Sequence, residues 1–388
     1  MNILVACDKF RGSLTASEAN SAVVKGLLGS GLAPNASAQV VPLADGGEGT
    51  LDALSSQNSE IVRSAARNAF GEPGEAHWLF DRARGRAVIE MAAVAGHACA
   101  EKRGYDPDRA TSAGVGDLVL AAAQMGAQEI IVALGGSITV DGGAGALEAA
   151  GARYLDAGGS LMKAATGRQL ADVAEVDLSQ LPGSLDGISI TVAADVDNVL
   201  AGHRGAAAVF GPQKGVPPGH IDAFDAALSA FDAALARAMD RAPVGEQPFS
   251  GAAGGMLVGL NAIARTIARD GFALVAEHHD LAEKVAASDL VVSGEGSLDG
   301  QSLSGKGPVG MARIARDAGV PAIAFAGRLA ATPQELRENG IAAAFSISSG
   351  PMELAAALKG AGPALERASL DAFNAIAMGR GLAILAEG

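Results

Sequence analysis

Aromatic side chains are scarce in this chain: they make up 4% of its 388 residues, with one Trp and two Tyr. Its interior must therefore be filled by small and aliphatic side chains. Cysteine is rarer still. Cys7 and Cys99 are the only two, without metal-ligand spacing, which speaks against a disulfide framework and for a reducing cytoplasm. No apolar run reaches the ~18 residues that span a bilayer. The N-terminus lacks the basic region and cleavage site of a signal peptide, so a cytoplasmic protein is expected. Positive charge is in deficit, with a formal net charge of −14. That balance argues against nucleic acid or an anionic membrane surface as a partner. It leaves room for an anionic small substrate in a local basic pocket. The six histidines are scattered, and the doublet His278-His279 has no partner at zinc spacing. No G-x-S-x-G elbow is present, which argues against an α/β-hydrolase.

Glycine and apolar residues are plentiful. There are 52 glycines, and 49% of residues are apolar, enough for a sizeable core and many tight loops. The length fits two domains. The first segment reads as a crossover unit: strand Ile3–Cys7, a helix opened by the capping box Thr15–Glu18, and strand Gln39–Leu43. The same grammar returns late, with strands at Asp289–Ser293, Val320–Ala326 and Ala342–Ile347. Pro308 opens one helix there, and a second capping box at Thr332–Glu335 opens another. Between them, strands are expected at Ala87–Met91, Glu129–Leu134 and Ile188–Ala193, with helices near 112–126 and 221–239. We read one α/β domain over 1–61 plus 286–388, interrupted by a second α/β domain over 62–285.

Three strand-like runs are followed by glycine loops that carry acids. Leu43-Ala-Asp-Gly-Gly-Glu-Gly-Thr50 holds Asp45 and Glu48 beside Gly46 and Gly47. Asp141-Gly-Gly-Ala-Gly145 follows Ile130–Leu134, and Gly294-Glu-Gly-Ser-Leu-Asp-Gly300 follows Asp289–Ser293. Glycines let a backbone turn tightly and approach a ligand. Carboxylates there suit a metal, a phosphate-bearing ligand or a polyol. Gly300–Lys306 has P-loop spacing, yet Gly307 stands where Ser or Thr would hold Mg²⁺, so it is not a Walker motif. Its Lys306 can still meet a phosphate before a helix N-terminus, or be a solvated loop lysine. Gly135–Gly145 offers Ser137, Thr139 and the glycines 142, 143 and 145 as an anion cradle, or as a plain turn. Asp195-Val-Asp-Asn198 suits Mg²⁺ or general-base work, or an Asx-type turn. Gly211–Gly215 is a tight turn bearing Gln213 and Lys214. Asp8-Lys-Phe-Arg-Gly-Ser13 sets Asp8, Lys9, Arg11 and Ser13 at a strand end where open α/β sheets bind ligands, or in a charged turn.

Taken together, these segments resemble the bacterial type I glycerate kinases. The likeness is carried by Asp8–Leu14, Val41–Thr50, Leu134–Gly145, Ala193–Asn198, Val209–Gly215, Gly251–Gly255, Ser293–Pro308 and Phe325–Arg328. Eight segments in one order are specific where any one alone is weak. The resemblance implies a flavodoxin-like domain interrupted by a restriction-endonuclease-like one. It also implies ATP-dependent phosphorylation of D-glycerate with Mg²⁺, with the 2-position favoured. Under it, Asp45, Glu48 and Asp195 are expected to hold Mg²⁺ or to act as base. Lys306 and Lys214 are expected to stabilise phosphate charge. Arg11 and Arg328 are expected to grip the glycerate carboxylate. Asp8, Lys9, Ser13, Gly46, Gly47, Asp141, Asn198, Gln213, Glu295, Asp299 and Gln301 complete the expected binding set. ATP is assigned to neither domain and no oligomeric state is implied. Three positions depart from the usual pattern: Lys9-Phe10-Arg11 for Ser-Phe-Lys, Val140 for an amide, and Ser297 for an arginine. The rivals are a kinase or phosphatase for another small hydroxy acid or sugar acid, and a non-catalytic hydroxy-acid sensor.

Overall fold

The computed structural model of the protein describes residues 1–101, 103–162, 165–300, 302 and 307–381. Its strands in chain order are β1 Asn2–Val5, β2 Ser37–Val40, β3 Ser59–Arg67, β4 Pro73–Asp81, β5 Arg86–Glu90, β6 Glu129–Ala133, β7 Arg153–Leu155, β8 Glu175–Asp177, β9 Ser189–Ala194, β10 Arg265–Asp270, β11 Leu290–Leu298, β12 Ala322–Leu329 and β13 Ile341–Ser346. The chain divides into two compact units. Unit 1 is Met1–Asp45 with Phe272–Gly388, and unit 2 is Gly46–Gly271.

Unit 1 holds a five-stranded sheet in the order β13-β12-β11-β1-β2, parallel throughout. In sequence rank this is 2-1-3-4-5 read from the other edge. Such an order places the switch point between β1 and β11, and ligands of open parallel sheets bind beyond the strand C-termini there. The core joins Ile3 and Val5 of β1 and Val292 of β11 to Val23, Leu27, Leu365 and Phe373 on helices. Helix Ala16–Gly29 starts at the expected capping box, with Thr15 and Glu18 bonded reciprocally. Thr332 and Glu335 do the same for Pro333–Glu338.

Unit 2 holds a mixed six-stranded sheet, β10-β9-β6-β5-β4-β3. β5, β6, β9 and β10 run parallel, while β3 and β4 add an antiparallel hairpin at one edge. Its core carries the sole Trp. Trp78 is fully buried, and its Nε1–H donates to Ser64 Oγ at 3.0 Å. Phe80, Ile89, Val132, Phe224 and Phe231 pack in the same cluster.

Two expectations need correction. The division falls at 45/46 and 271/272, not at 61/62 and 285/286. β3 pairs along its full length with β4 and so belongs to unit 2, while the helices Gly271–His278 and Leu281–Ala286 start the return to unit 1. The third acidic loop is also largely strand. β11 runs on through Leu298, because Ser297 pairs with Arg328 and Leu298 with Leu329. The hairpin β3–β4 and the edge strand β10 were missed. Their exposure alternates imperfectly, so the period-two signal is weak. Among the described residues, no helix is long and apolar enough to cross a membrane.

Candidate active site

Unit 1 gathers charged side chains beyond the ends of β1 and β11. Asp8 continues β1, and its N–H donates to the carbonyl of Gly294 at 2.9 Å. That bond ties the end of β1 to β11 at the switch point. Asp8 is 5% exposed, and its carboxylate lies at the start of helix Gly307–Asp317, where negative charge is favoured. Lys9 Nζ donates to Asp45 Oδ1 at 3.3 Å and lies 3.8 Å from Asp8 Oδ1. One lysine thus serves two carboxylates.

Glu295 is the unusual member. Its Oε1 is buried and has no hydrogen-bond partner. Burial, with the nearby Asp8, Asp299 and Asp45 carboxylates, pushes its carboxyl up to about 7, against a hydrogen bond from Ser302. Asp299 accepts from Ser297 Oγ at 3.1 Å, so the serine in place of the family arginine has a local role in the turn. Ser13 Oγ donates to the Phe10 carbonyl at 2.9 Å, which makes it a turn residue. Arg11 and Arg328 are exposed. Gln301 and Lys306 lie outside the described residues.

Unit 2 assembles a different edge from the ends of β5, β6 and β9. The loop Gly46–Thr50 lies across it. Gly135 N–H donates to the Gly46 carbonyl at 3.0 Å. A Cβ on Gly46 would sit 2.9 Å from the Ala193 carbonyl, and one on Gly135 would sit 2.5 Å from Gly47 Cα. Only glycine permits this backbone packing. Glu48, the single side-chain-bearing residue within Gly46–Gly49, is exposed. Asp195 follows directly on β9. Asn198 serves the fold: its Nδ2 donates to the Arg204 carbonyl at 2.8 Å. Gln213 is exposed.

The expected cradle at Gly142–Gly145 is largely filled from within. Asp141 is fully buried. Its carboxylate accepts from Ser112 N–H and Ser112 Oγ at 2.7 Å each, from Gly143 N–H at 3.2 Å and from Gly145 N–H at 3.3 Å. Gly142 N–H goes to the Gly254 carbonyl. An internal carboxylate therefore takes up N–H groups at Gly143 and Gly145 that an anionic ligand would need. Burial pushes the Asp141 carboxyl up, and its four donors oppose that shift. Lys214 is also turned inward, at 3% exposure. Its Nζ donates to Ser137 Oγ at 2.9 Å and to the Thr139 carbonyl at 3.0 Å. Burial pulls this ammonium down to about 7, against the pull of Asp141. Thr139 Oγ1 is buried without a partner. Val140 is fully buried in the unit 2 core, which explains an apolar residue where an amide is usual.

Two contributors escaped the sequence reading. Ser112 gives no signal beyond a hydroxyl before a helix. Glu90 ends β5 and accepts the Leu51 N–H at 3.0 Å. An acid at a strand end was its only mark, with no glycine beside it.

Among the described residues, no group of three or more His, Cys, Asp and Glu side chains is arranged to hold a metal by itself. Mg²⁺ differs from zinc here, since it commonly uses one or two carboxylates and completes its shell with waters and substrate phosphates. Glu48 and Asp195 offer hard oxygen donors of that kind.

The model of the Glycerate kinase family matches residues 3–377. The chain is 36% identical over 381 residues to Glycerate kinase of Bacillus subtilis (strain 168), covering 98% of this chain and 99% of that one. It is 37% identical over 380 residues to Glycerate 2-kinase of Escherichia coli (strain K12), again covering 98% and 99%. A crystal structure of a proposed glycerate kinase 2 from Salmonella typhimurium LT2 superposes with a TM-score of 0.83 at 36% identity, covering 98% of this chain and 100% of that one. The chain therefore belongs to the glycerate kinase family, phosphotransferases with an alcohol acceptor, and membership implies ATP and glycerate as substrates.

Proposed function

We propose that the chain transfers the γ-phosphoryl group of ATP to the 2-hydroxyl of D-glycerate, giving 2-phosphoglycerate and ADP in organic-acid catabolism. The observation that carries this reading is the 37% identity, across nearly both full lengths, with the Escherichia coli Glycerate 2-kinase. In the proposed division of labour, unit 1 is flavodoxin-like and interrupted by a restriction-endonuclease-like unit 2.

Each edge supplies groups suited to phosphoryl transfer, which depends on positioning and charge stabilisation. In unit 1, Asp45 and Lys9 form a pair that can accept from and donate to a glycerate hydroxyl. Arg11 and Arg328 are exposed guanidinium groups able to hold a carboxylate bidentately. Lys306 would offset phosphate charge in this scheme. In unit 2, Glu48 and Asp195 would hold Mg²⁺, which when bound offsets phosphate charge. Lys214 acts from inside, by fixing Ser137 and Thr139.

The test is an ADP-release assay across D-glycerate and other small hydroxy acids, with the product identified by ³¹P and ¹H NMR. We expect turnover with D-glycerate and a 2-phosphorylated product. Exclusive 3-phosphoglycerate, or faster turnover of another acid, would overturn the reading at that point.

A further inference from the structure

We infer that Glu90 is a positioning residue, fixing the acidic glycine loop so that Glu48 is presented from a rigid base. The inference rests on the loop's role in the reading above.

The segment Gly46-Gly47-Glu48-Gly49 has glycine at three of four positions, so its backbone has unusual freedom. A side chain on such a segment is located only if the backbone is held from outside. Unit 2 holds it at three strand ends. The β6 end contributes Gly135, which donates to Gly46. The β9 end contributes Ala193, on which Gly46 packs. The β5 end contributes Glu90. Its Oε1 accepts the Leu51 N–H at 3.0 Å, just past the glycine segment. Thr50 Oγ1 closes the turn internally on the Gly47 carbonyl at 2.6 Å. Gly49 itself sits at φ +94° with open space around its missing Cβ. Packing does not hold that residue, and the nearest side-chain anchor after it is the Glu90 bond to Leu51.

A carboxylate is an expensive clamp at this place. Burial disfavours its charge, and Glu48 and Asp52 oppose it electrostatically. Those costs fall on a group whose contacts all serve the loop. That role does not need Glu90 to touch a substrate.

The experiment compares Glu90→Ala, Glu90→Gln and Glu48→Gln in the full-length protein. Backbone hydrogen exchange is followed over residues 46–53, alongside steady-state kinetics with D-glycerate and ATP. For Glu90→Ala we expect faster exchange at Gly49 and Leu51, with the rest of unit 2 unchanged. Its kcat/KM should fall about 10²-fold, as a misplaced group near the chemistry requires. Glu90→Gln keeps an acceptor oxygen and should restore both readouts to within a few-fold. Unchanged exchange in Glu90→Ala overturns the inference. So does faster exchange with wild-type kinetics when Glu48→Gln is slow. If Glu48→Gln is itself unimpaired, the reading of the loop falls and the inference with it. Should Glu90→Ala fail to fold, Glu90→Asp replaces it, because its shorter carboxylate falls short of the Leu51 N–H.

Discussion

The two sheet edges treat the same ingredients in opposite ways. Unit 1 leaves one of its acids unsatisfied. Asp45 meets only part of a lysine, and Glu295 keeps a buried oxygen without a partner. Unit 2 turns its polar groups inward. Asp141 accepts from four donors, Lys214 donates to two acceptors, and Glu90 accepts from the backbone it clamps. All but Glu90 stand directly beside a glycine. Acid-and-glycine spacing therefore identifies a loop that matters without saying how. Burial with full hydrogen bonding makes a scaffold, and burial without it leaves a reactive group.

The sharpest way to break this contrast is to remove the hub of unit 2. Asp141→Ala would leave four buried donors without their acceptor. We expect a loss on the order of 4 kcal/mol, seen in urea unfolding. A loss under ~1 kcal/mol would show that Asp141 is no scaffold.

A smaller break is Val140→Asn, which puts the family's usual amide into the packed core. We expect about 2 kcal/mol of destabilisation from an unsatisfied buried amide, with KM for both substrates nearly unchanged in the folded protein. A shift in KM without loss of stability would make position 140 a binding residue.

The smallest effect tests unit 1. The Glu295 carboxyl is raised in the folded state to about 7 from its ordinary 4.5. Between those values the folded chain binds more protons than the unfolded one, so this group's contribution to stability falls as pH rises. The cost is absent below about pH 4.5 and complete above about 7. Glu295→Gln should therefore gain a few degrees in Tm at pH 8 relative to pH 5. An equal change at both pH values would show that Glu295 is ionised as an ordinary surface acid.

Legibility followed locality. Both capping boxes were readable because a cap is four consecutive residues bonding to one another. Most of the parallel strands were readable as short apolar runs, though not the parallel edge strand β10. The ends were less so: β11 continues through Gly294-Glu295-Gly296 because β12 offers a pairing partner, and no local pattern shows that. Lys214 and Lys306 looked alike in sequence, each on a glycine turn. The fold sends the first into the interior, 77 residues from the Ser137 it meets. Glu90 was invisible for the same reason, since its partner Leu51 is 39 residues away.

The sequence by itself determined the family, because the order of eight motifs along one chain survives any change in the residues between them. It also determined two helix starts, at Thr15 and Thr332. The tertiary structure alone decided which polar groups are exposed, which are sealed in, and which of those are satisfied. A carboxylate's role depends on its solvent and its donors, and both are set by residues distant in sequence that only the folded chain brings together.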